Sequence, residues 1–295
     1  MEFNQVRVAF VILGYKNPTQ IRILIEHLIH SDYFFFIHID KRIDISPFKD
    51  ELRKYEGRIS WVKRETSYWG SYQCVKALLN GLRQAIDYEK VRFDYFIHLS
   101  GQDFPLKSPD FINRTLSQYF PTNFVNVIPF PVLTWEKGGI DRLRHIKLIW
   151  KGKRIIFHPE IGNWVLKAFY KVLSGIFIQL DRGKTFYGGE FYFMMHRTGV
   201  ERLLSNIRKY PIFFHRLKFV TLPEEIIIQT ILMMDYEADK LLISEDRFRY
   251  IDWETGQKSP KEMNEGEIIG LLNSPYLFGR KFIITNPNFK VSFNE

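Results

Sequence analysis

Residues 8–28 read VAFVILGYKNPTQIRILIEHL, and the join in the middle of this stretch decides the architecture. The apolar run over 7–13 breaks at Gly14 and reads as a buried strand. Asn17-Pro18-Thr19-Gln20 then gives a helix start, with Asn17 as N-cap, Pro18 at the first helical position and Gln20 closing a capping box. Ile21, Leu24, Ile25, Leu28 and Ile29 fall on one face of that helix. Outward from here the alternation repeats. FFFIHID at 34–40 reads as a second strand, 59–62 as a third, Ser71 to Ile86 as a helix and DYFIHLS at 94–100 as another strand. The expected fold is α/β, a mostly parallel central sheet with helices on both faces.

The second half is less regular. Residues 186–195 read as a loop and strand, 223–234 as a helix beginning at Pro223, and 276–284 as a closing loop and strand. No repeat, low-complexity tract or linker divides the chain, so 1–295 reads as one domain with insertions. Ligands of such sheets sit beyond the carboxyl ends of the strands, where strand order reverses. That directs attention to Gly14-Tyr15-Lys16, Asp40-Lys41-Arg42 and Gly101-Gln102-Asp103.

Forty-two Lys and Arg against 33 Asp and Glu leave a formal charge of +9, and 45% hydrophobic with 25% charged residues excludes disorder, collagen and a disulfide scaffold. Twenty-seven Phe, 15 Tyr and 6 Trp either fill a Phe-rich core or also line a groove, a sugar site or a membrane surface. The lone Cys74 forbids an internal disulfide and points to a reducing compartment, the cytoplasm. The first twenty residues lack a small-residue cleavage site and read as a buried strand, not a signal peptide. No run approaches about 18 uninterrupted apolar residues. NWVLKAFYKVLSGIFIQL at 163–180 comes nearest, broken by Lys167 and Lys171. As a helix it either lies in a membrane interface beside Lys151, Lys153 and Arg154, or is a core helix or hairpin.

No GxGxxG, GxxxxGKS, HExxH, GxSxG or paired CxxC is present, which weakens dehydrogenase, NTPase, metalloprotease, esterase and zinc readings. No Asp-x-Asp occurs either. Asp235-Tyr236-Glu237 and Asp252-Trp253-Glu254 read as solvated surface, so no metal site is expected. His38 and His98 sit in strand patterns as hydrogen-bonded core histidines. Read alone, Glu224 and Glu225 complement a helix N-terminus, with Thr221 and Glu224 as a capping box. Arg280-Lys281, read alone, is solvated surface. A basic, aromatic-rich chain also admits a nucleic-acid-binding module, but its cations are interleaved with acids and no zinc-finger or helix-turn-helix signal appears.

YFIHLSGQDFPLKS at 95–108 resembles the Ser-Gly-x-Asp-x-Pro signature of the core-2/I-branching β-1,6-N-acetylglucosaminyltransferases and the related peptide O-xylosyltransferases. VAFVILGYKNPTQIRILIEHL, FIHIDKR, SYWGSYQCVKALLNGLRQAI, GGEFYFMMHRTGVERLL, TLPEEIIIQTIL, FRYIDW and LFGRKF continue the likeness in order, over nearly the whole length. With one cysteine and no anchor, the chain resembles a bacterial-type, cytosolic member.

The resemblance implies a GT-A type nucleotide-sugar-binding fold and an inverting, metal-independent transfer of a sugar from a UDP donor to a glycan hydroxyl. N-acetylglucosamine is the expected sugar, xylose the alternative. No cofactor is implied beyond the UDP-sugar substrate. It assigns the general base to Glu225, and diphosphate stabilisation to Lys281, Arg280 and Lys258, with Lys261 as a substitute for Lys258. Asp40 corresponds to a uridine contact, or else caps its loop. Gln102 and Asp103 fall near the donor sugar, Asp103 alternatively organising the loop. Trp69, Glu190, Trp135, Glu136, Arg142 and Arg144 are candidates for sugar contacts. A β-linkage in surface or extracellular polysaccharide synthesis is the implied role. A lipid-linked acceptor is a further expectation, the enzyme then sitting peripherally on the inner membrane face.

Overall fold

The computed structural model describes residues 5–150, 153–236, 240–253 and 259–293. In chain order the first half runs β1 (Val8–Gly14), α1 (Pro18–Glu26), β2 (Tyr33–Ile39), α2 (Ser46–Leu52), β3 (Ile59–Trp61), α3 (Tyr72–Ile86), β4 (Tyr95–Ser100), β5 (Asp103–Pro105), α4 (Pro109–Gln118), β6 (Asn123–Phe124) and β7 (Ile128–Pro129). The second half follows with α5 (Ile140–Arg144), β8 (Ile146–Trp150), β9 (Lys153–Phe157), α6 (Trp164–Asp181), β10 (Tyr187–Gly188), β11 (Met194–His196), α7 (Arg197–Lys209), α8 (Pro211–Leu217), α9 (Ile227–Leu232), β12 (Ile243–Ser244), β13 (Arg249–Ile251), α10 (Glu265–Leu271) and β14 (Phe278–Arg280).

Seven strands form the main sheet in the order β12-β6-β11-β4-β1-β2-β3. β1 pairs in parallel with both β2 and β4, so strand order reverses there and opens a crevice at the carboxyl ends of β1 and β4. Only β11 runs against its neighbours. A three-stranded sheet, β13-β14-β5, leaves β4 through the Asp103 loop and brings the C-terminal segment alongside.

The alternation along β1 explains the two-sided burial. Val8, Phe10 and Ile12 pack with Leu24, Phe35 and Ile97 on one face, while Ala9 and Val11 meet Leu78, Phe36 and Leu82 on the other. Phenylalanine dominates the fully buried large side chains, so much of the aromatic excess is core.

Two sequence expectations are corrected. Asn17 has φ 57° and makes no side-chain cap, and the capping box at Gln20 does not form. Gln20 is buried; its amide donates to Phe282 O at 3.0 Å and its carbonyl accepts from Ile284 N at 3.2 Å. A buried amide must satisfy both ends, and the C-terminal backbone offers a better set of partners than the helix start. The helix expected from Pro223 is a 3-10 turn, Pro223–Glu225, followed by α9, because Ile226 at φ −129° interrupts the helical run between them. No Thr221–Glu224 capping box forms there.

Gly81 shows how closely the layers meet. A Cβ there would lie 2.5 Å from Cγ1 of Val11, in the middle of β1. Gly81→Ala should cost about 1–3 kcal/mol in urea unfolding, and adding Val11→Ala should recover part of that loss. An unchanged midpoint for the single variant would show that α3 can shift freely.

Candidate functional site

Asp103 follows β4 and is fully buried. Oδ2 accepts from Ser100 N at 2.6 Å and from the Ser100 hydroxyl, while Oδ1 pairs with Arg249. Arg249 also donates to His98 O at 3.1 Å. Asp103 therefore organises its loop instead of facing a sugar. His98 Nδ1 meets Phe191 O at 3.0 Å, and burial drives its imidazole down to about 3, so it is a neutral core histidine that donates. His38 is buried likewise and accepts from Glu65 N through Nε2.

Arg280 and Lys281 sit where β14 ends beside this loop. The Arg280 guanidinium lies 4.0 Å from the centroid of Tyr192, and its Nε is buried without a hydrogen-bond partner. Lys281 Nζ bonds Glu262 Oε1 at 2.8 Å. Lys16, from the loop after β1, reaches the same oxygen at 4.0 Å, and Gln102 Nε2 approaches it at 3.5 Å. Tyr15 donates to Gln102 Oε1 at 3.4 Å. Two lysines and an amide thus converge on the Glu262 carboxylate at the carboxyl ends of β1 and β4, and Arg280 stands next in sequence to Lys281 on Tyr192. The hydrogen bond from Lys281 holds Glu262 below the usual carboxylate range.

The second cluster forms around the 3-10 turn. Glu225 pairs with Arg142, whose guanidinium stacks 3.7 Å from the centroid of Trp135. Burial raises the Glu225 carboxyl and Arg142 opposes the rise. Glu224 points inward. Burial, with the neighbouring Glu225 adding, pushes its carboxyl up to about 7 against the pull of Lys147, and its Oε2 lacks a partner. Lys147 donates to Gly70 O. Gly70 has φ +68°, and a Cβ there would sit 3.1 Å from Lys147 Nζ, so the turn needs glycine twice over. A cleft of about 230 Å³ opens here, lined by Gly70, Tyr72, Lys147, Lys218 and Pro223.

One short segment links the clusters. Gly189 N donates to Glu225 O at 3.0 Å, and Tyr192, three residues on, underlies Arg280. Three residues span at most about 11 Å between Cα atoms, which bounds the separation of Gly189 and Tyr192 along this segment. Glu190, between them, pairs with Arg247, and beside it lies a cleft of about 300 Å³ with Tyr250, Trp253 and Tyr276.

Asp40 is buried and takes both its oxygens to Arg42 and Ser67 N; burial alone would raise it, but these bonds outweigh burial and hold it low. It caps its loop. Trp69 is 64% exposed, with Arg154 over its ring at 5.2 Å. Glu136 opens an exposed 3-10 turn next to Trp135, and Arg144 is exposed at the end of α5. Lys261 bonds Glu267 at 2.8 Å, and Lys258 lies outside the described residues. Asp235 pairs with Lys209, while Glu237 and Glu254 lie outside the described residues. Among the described residues, no group of three or more His, Cys, Asp or Glu is placed to hold a metal ion. Glu262, Lys147 and Arg247 carry no sequence signal of their own; Tyr192 lies inside GGEFYFMMHRTGVERLL and Arg249 inside FRYIDW, and both could have been singled out there.

The carboxyl edge of the mostly parallel sheet thus gathers cations, and the 3-10 turn carries a buried Glu224 beside a partly exposed Glu225. A model of the Core-2/I-Branching enzyme family matches residues 8–272, and the chain belongs to that family, one of glycosyltransferases. Arg280 and Lys281 lie just past the matched range. The chain is 24% identical to xylosyltransferase 1 of Pan troglodytes over 261 residues, 86% of this chain and 25% of that protein. It is 23% identical to human xylosyltransferase 2 over 308 residues, 96% of this chain and 32% of that one. The chain therefore spans a quarter to a third of the length of these curated relatives. Its backbone is similar to that of mouse xyloside xylosyltransferase 1 in the apo form, at a TM-score of 0.35 and 8% identity over 92% of this chain and 96% of that one.

Glu262 occupies the place an incoming anion would take between Lys16 and Lys281. Glu262→Gln should tighten pyrophosphate binding about two- to fivefold by calorimetry, the scale of an exposed ion pair. Equal or weaker binding would show that the carboxylate does not compete. Glu224 sets a stability profile, because its folded pKa lies above its unfolded one. Its contribution is full below about pH 4.5 and lost as pH rises through about 7, at most about 3 kcal/mol. Glu224→Gln should remove that decline in urea titrations between pH 5 and about 8; a slope that persists would assign it to another group.

Proposed function

We propose that this protein is an inverting, metal-independent glycosyltransferase. It moves N-acetylglucosamine from UDP to a hydroxyl of a glycan acceptor and forms a β-linkage in surface or extracellular polysaccharide synthesis, on an acceptor carried by a lipid. Glu225 takes the proton of the acceptor hydroxyl, whose oxygen attacks C1 of the sugar from the face opposite the diphosphate. The C1–O bond to UDP breaks, the new C1–O bond forms with inversion, and the nucleotide departs with the bonding pair. Arg142 opposes the rise that burial imposes on the Glu225 carboxyl and so favours the form that accepts that proton. Lys281, Arg280 and Lys16 stabilise charge growing on the diphosphate, the work a divalent ion does in many sugar transferases.

The observation that supports this most is the three-residue bridge from Gly189 to Tyr192 between the acid pair and the cations. Family membership favours a transferase over a nucleic-acid-binding module. The names of the relatives favour a second reading of the donor, UDP-xylose. A thermal-shift panel of nucleotide sugars separates the two, since a ligand bound only by the native state raises Tm.

Glu225→Gln should keep UDP affinity while turnover falls about a hundredfold to ten-thousandfold. Turnover of the parent enzyme should survive EDTA. Normal turnover in the variant would move the base elsewhere, and EDTA inactivation reversed by manganese would overturn the metal-free reading.

A further inference from the structure

Helix α6 is 18 residues long and has no buried residue. Its inner flank is held lightly: Phe177 stacks on Phe219 at 5.9 Å, and Asp181 bonds Arg216 at 2.8 Å. The core helix or hairpin expected as one reading of 163–180 is therefore not what forms. Val165, Phe169, Val172 and Ile176 follow spacings of four, three and four and make one stripe, each about half exposed or more, with one side of the Phe169 ring against Phe157 at 5.4 Å. Trp164, 79% exposed, stands at the start of the helix, and the β8–β9 hairpin adds the exposed Ile155, on the same strand face as Phe157. A contiguous apolar face of this extent marks an interaction surface.

Its rim is basic. Residues 153–184 hold six Lys and Arg against two acids, and one of those acids, Asp181, is taken by Arg216. Lys167 and Lys171 stand one turn apart on the adjoining flank, exposed. A second copy docked by symmetry would set these like charges against each other. An anionic surface would neutralise them while covering the stripe. No helix among the described residues is long and apolar enough to cross a bilayer, so α6 would lie along the interface.

We propose that the α6 face with the β8–β9 hairpin docks this protein on an anionic lipid bilayer. The hairpin connects the face to the candidate site: Arg154 donates to Trp69 O at 3.1 Å and Lys147 donates to Gly70 O, beside Glu224. Docking sets the cleft lined by Gly70 and Lys147 near headgroup level, which suits an acceptor held in the membrane. The proposal stands on the helix face alone and does not depend on the identity of the reaction.

Flotation of the full chain with phosphatidylcholine vesicles, with and without phosphatidylglycerol, tests it. The protein should float with the anionic vesicles, less so as salt rises. Val172→Glu with Ile176→Glu should lower that partition about tenfold or more at an unchanged melting temperature, and Lys167→Glu with Lys171→Glu should weaken only the anionic preference. Absence of flotation, or flotation unchanged by the Val172/Ile176 pair, overturns the proposal. A lipid-indifferent dimer in sedimentation velocity that the same pair makes monomeric would assign the face to a second copy, and overturns it too.

Discussion

The ion pair between Asp103 and Arg249 holds the architecture of the site together. Both side chains are almost wholly out of water, where an unpaired charge costs several kcal/mol, so neither can be tolerated without the other. Ser100 and His98 O complete their hydrogen bonding. The pair ties the end of β4 to β13, and the β13–β14 register carries that anchorage to Arg280. The placement of the cations thus depends on a carboxylate that organises them from behind.

The same charge logic extends outward. Arg280 rests on Tyr192 with the buried Asp103 carboxylate 3.9 Å from its Nε, while Lys281 holds the more exposed and exchangeable Glu262. Around the acid pair the environments diverge. Glu225 stays accessible to a guanidinium, while Glu224, one residue earlier, is sealed against Gly70 and Lys147. Adjacent residues in a 3-10 turn point to different sides, which lets one backbone segment serve the cleft and the interior together.

The alternating strands and helices of the first hundred residues were legible because periodicity reports burial, and β1, β2, β3, α3 and β4 lie within a residue or two of their expected ends. The ordered motifs pointed to the family for the same reason: each marks a turn or strand end in a fixed frame. Local rules failed where distant chain intervened. Gln20 looks like a capping residue, yet it serves Phe282 and Ile284. Asp40 and Asp103 read as ligand contacts or loop organisers, and only the positions of Arg42 and Arg249 give them the second role. Glu262 was invisible, since an exposed glutamate gains meaning only from the lysines that reach it through space. The helix at 164–181 posed the opposite difficulty, because its periodicity is clear while the sequence alone leaves open which surroundings its apolar side meets.

The clasp between Gln20 and the strand-end backbone near Ile284 joins residues more than 260 positions apart. Contacts of such separation form late, since a long loop must close before they repay its entropy. During synthesis the sheet around β1 to β4 can collapse while the tail is still being made, but Lys281 cannot reach its place until that tail has emerged. The cations at the end of β14 therefore stay out of place in the nascent polypeptide until the segment around Ile284 has been made.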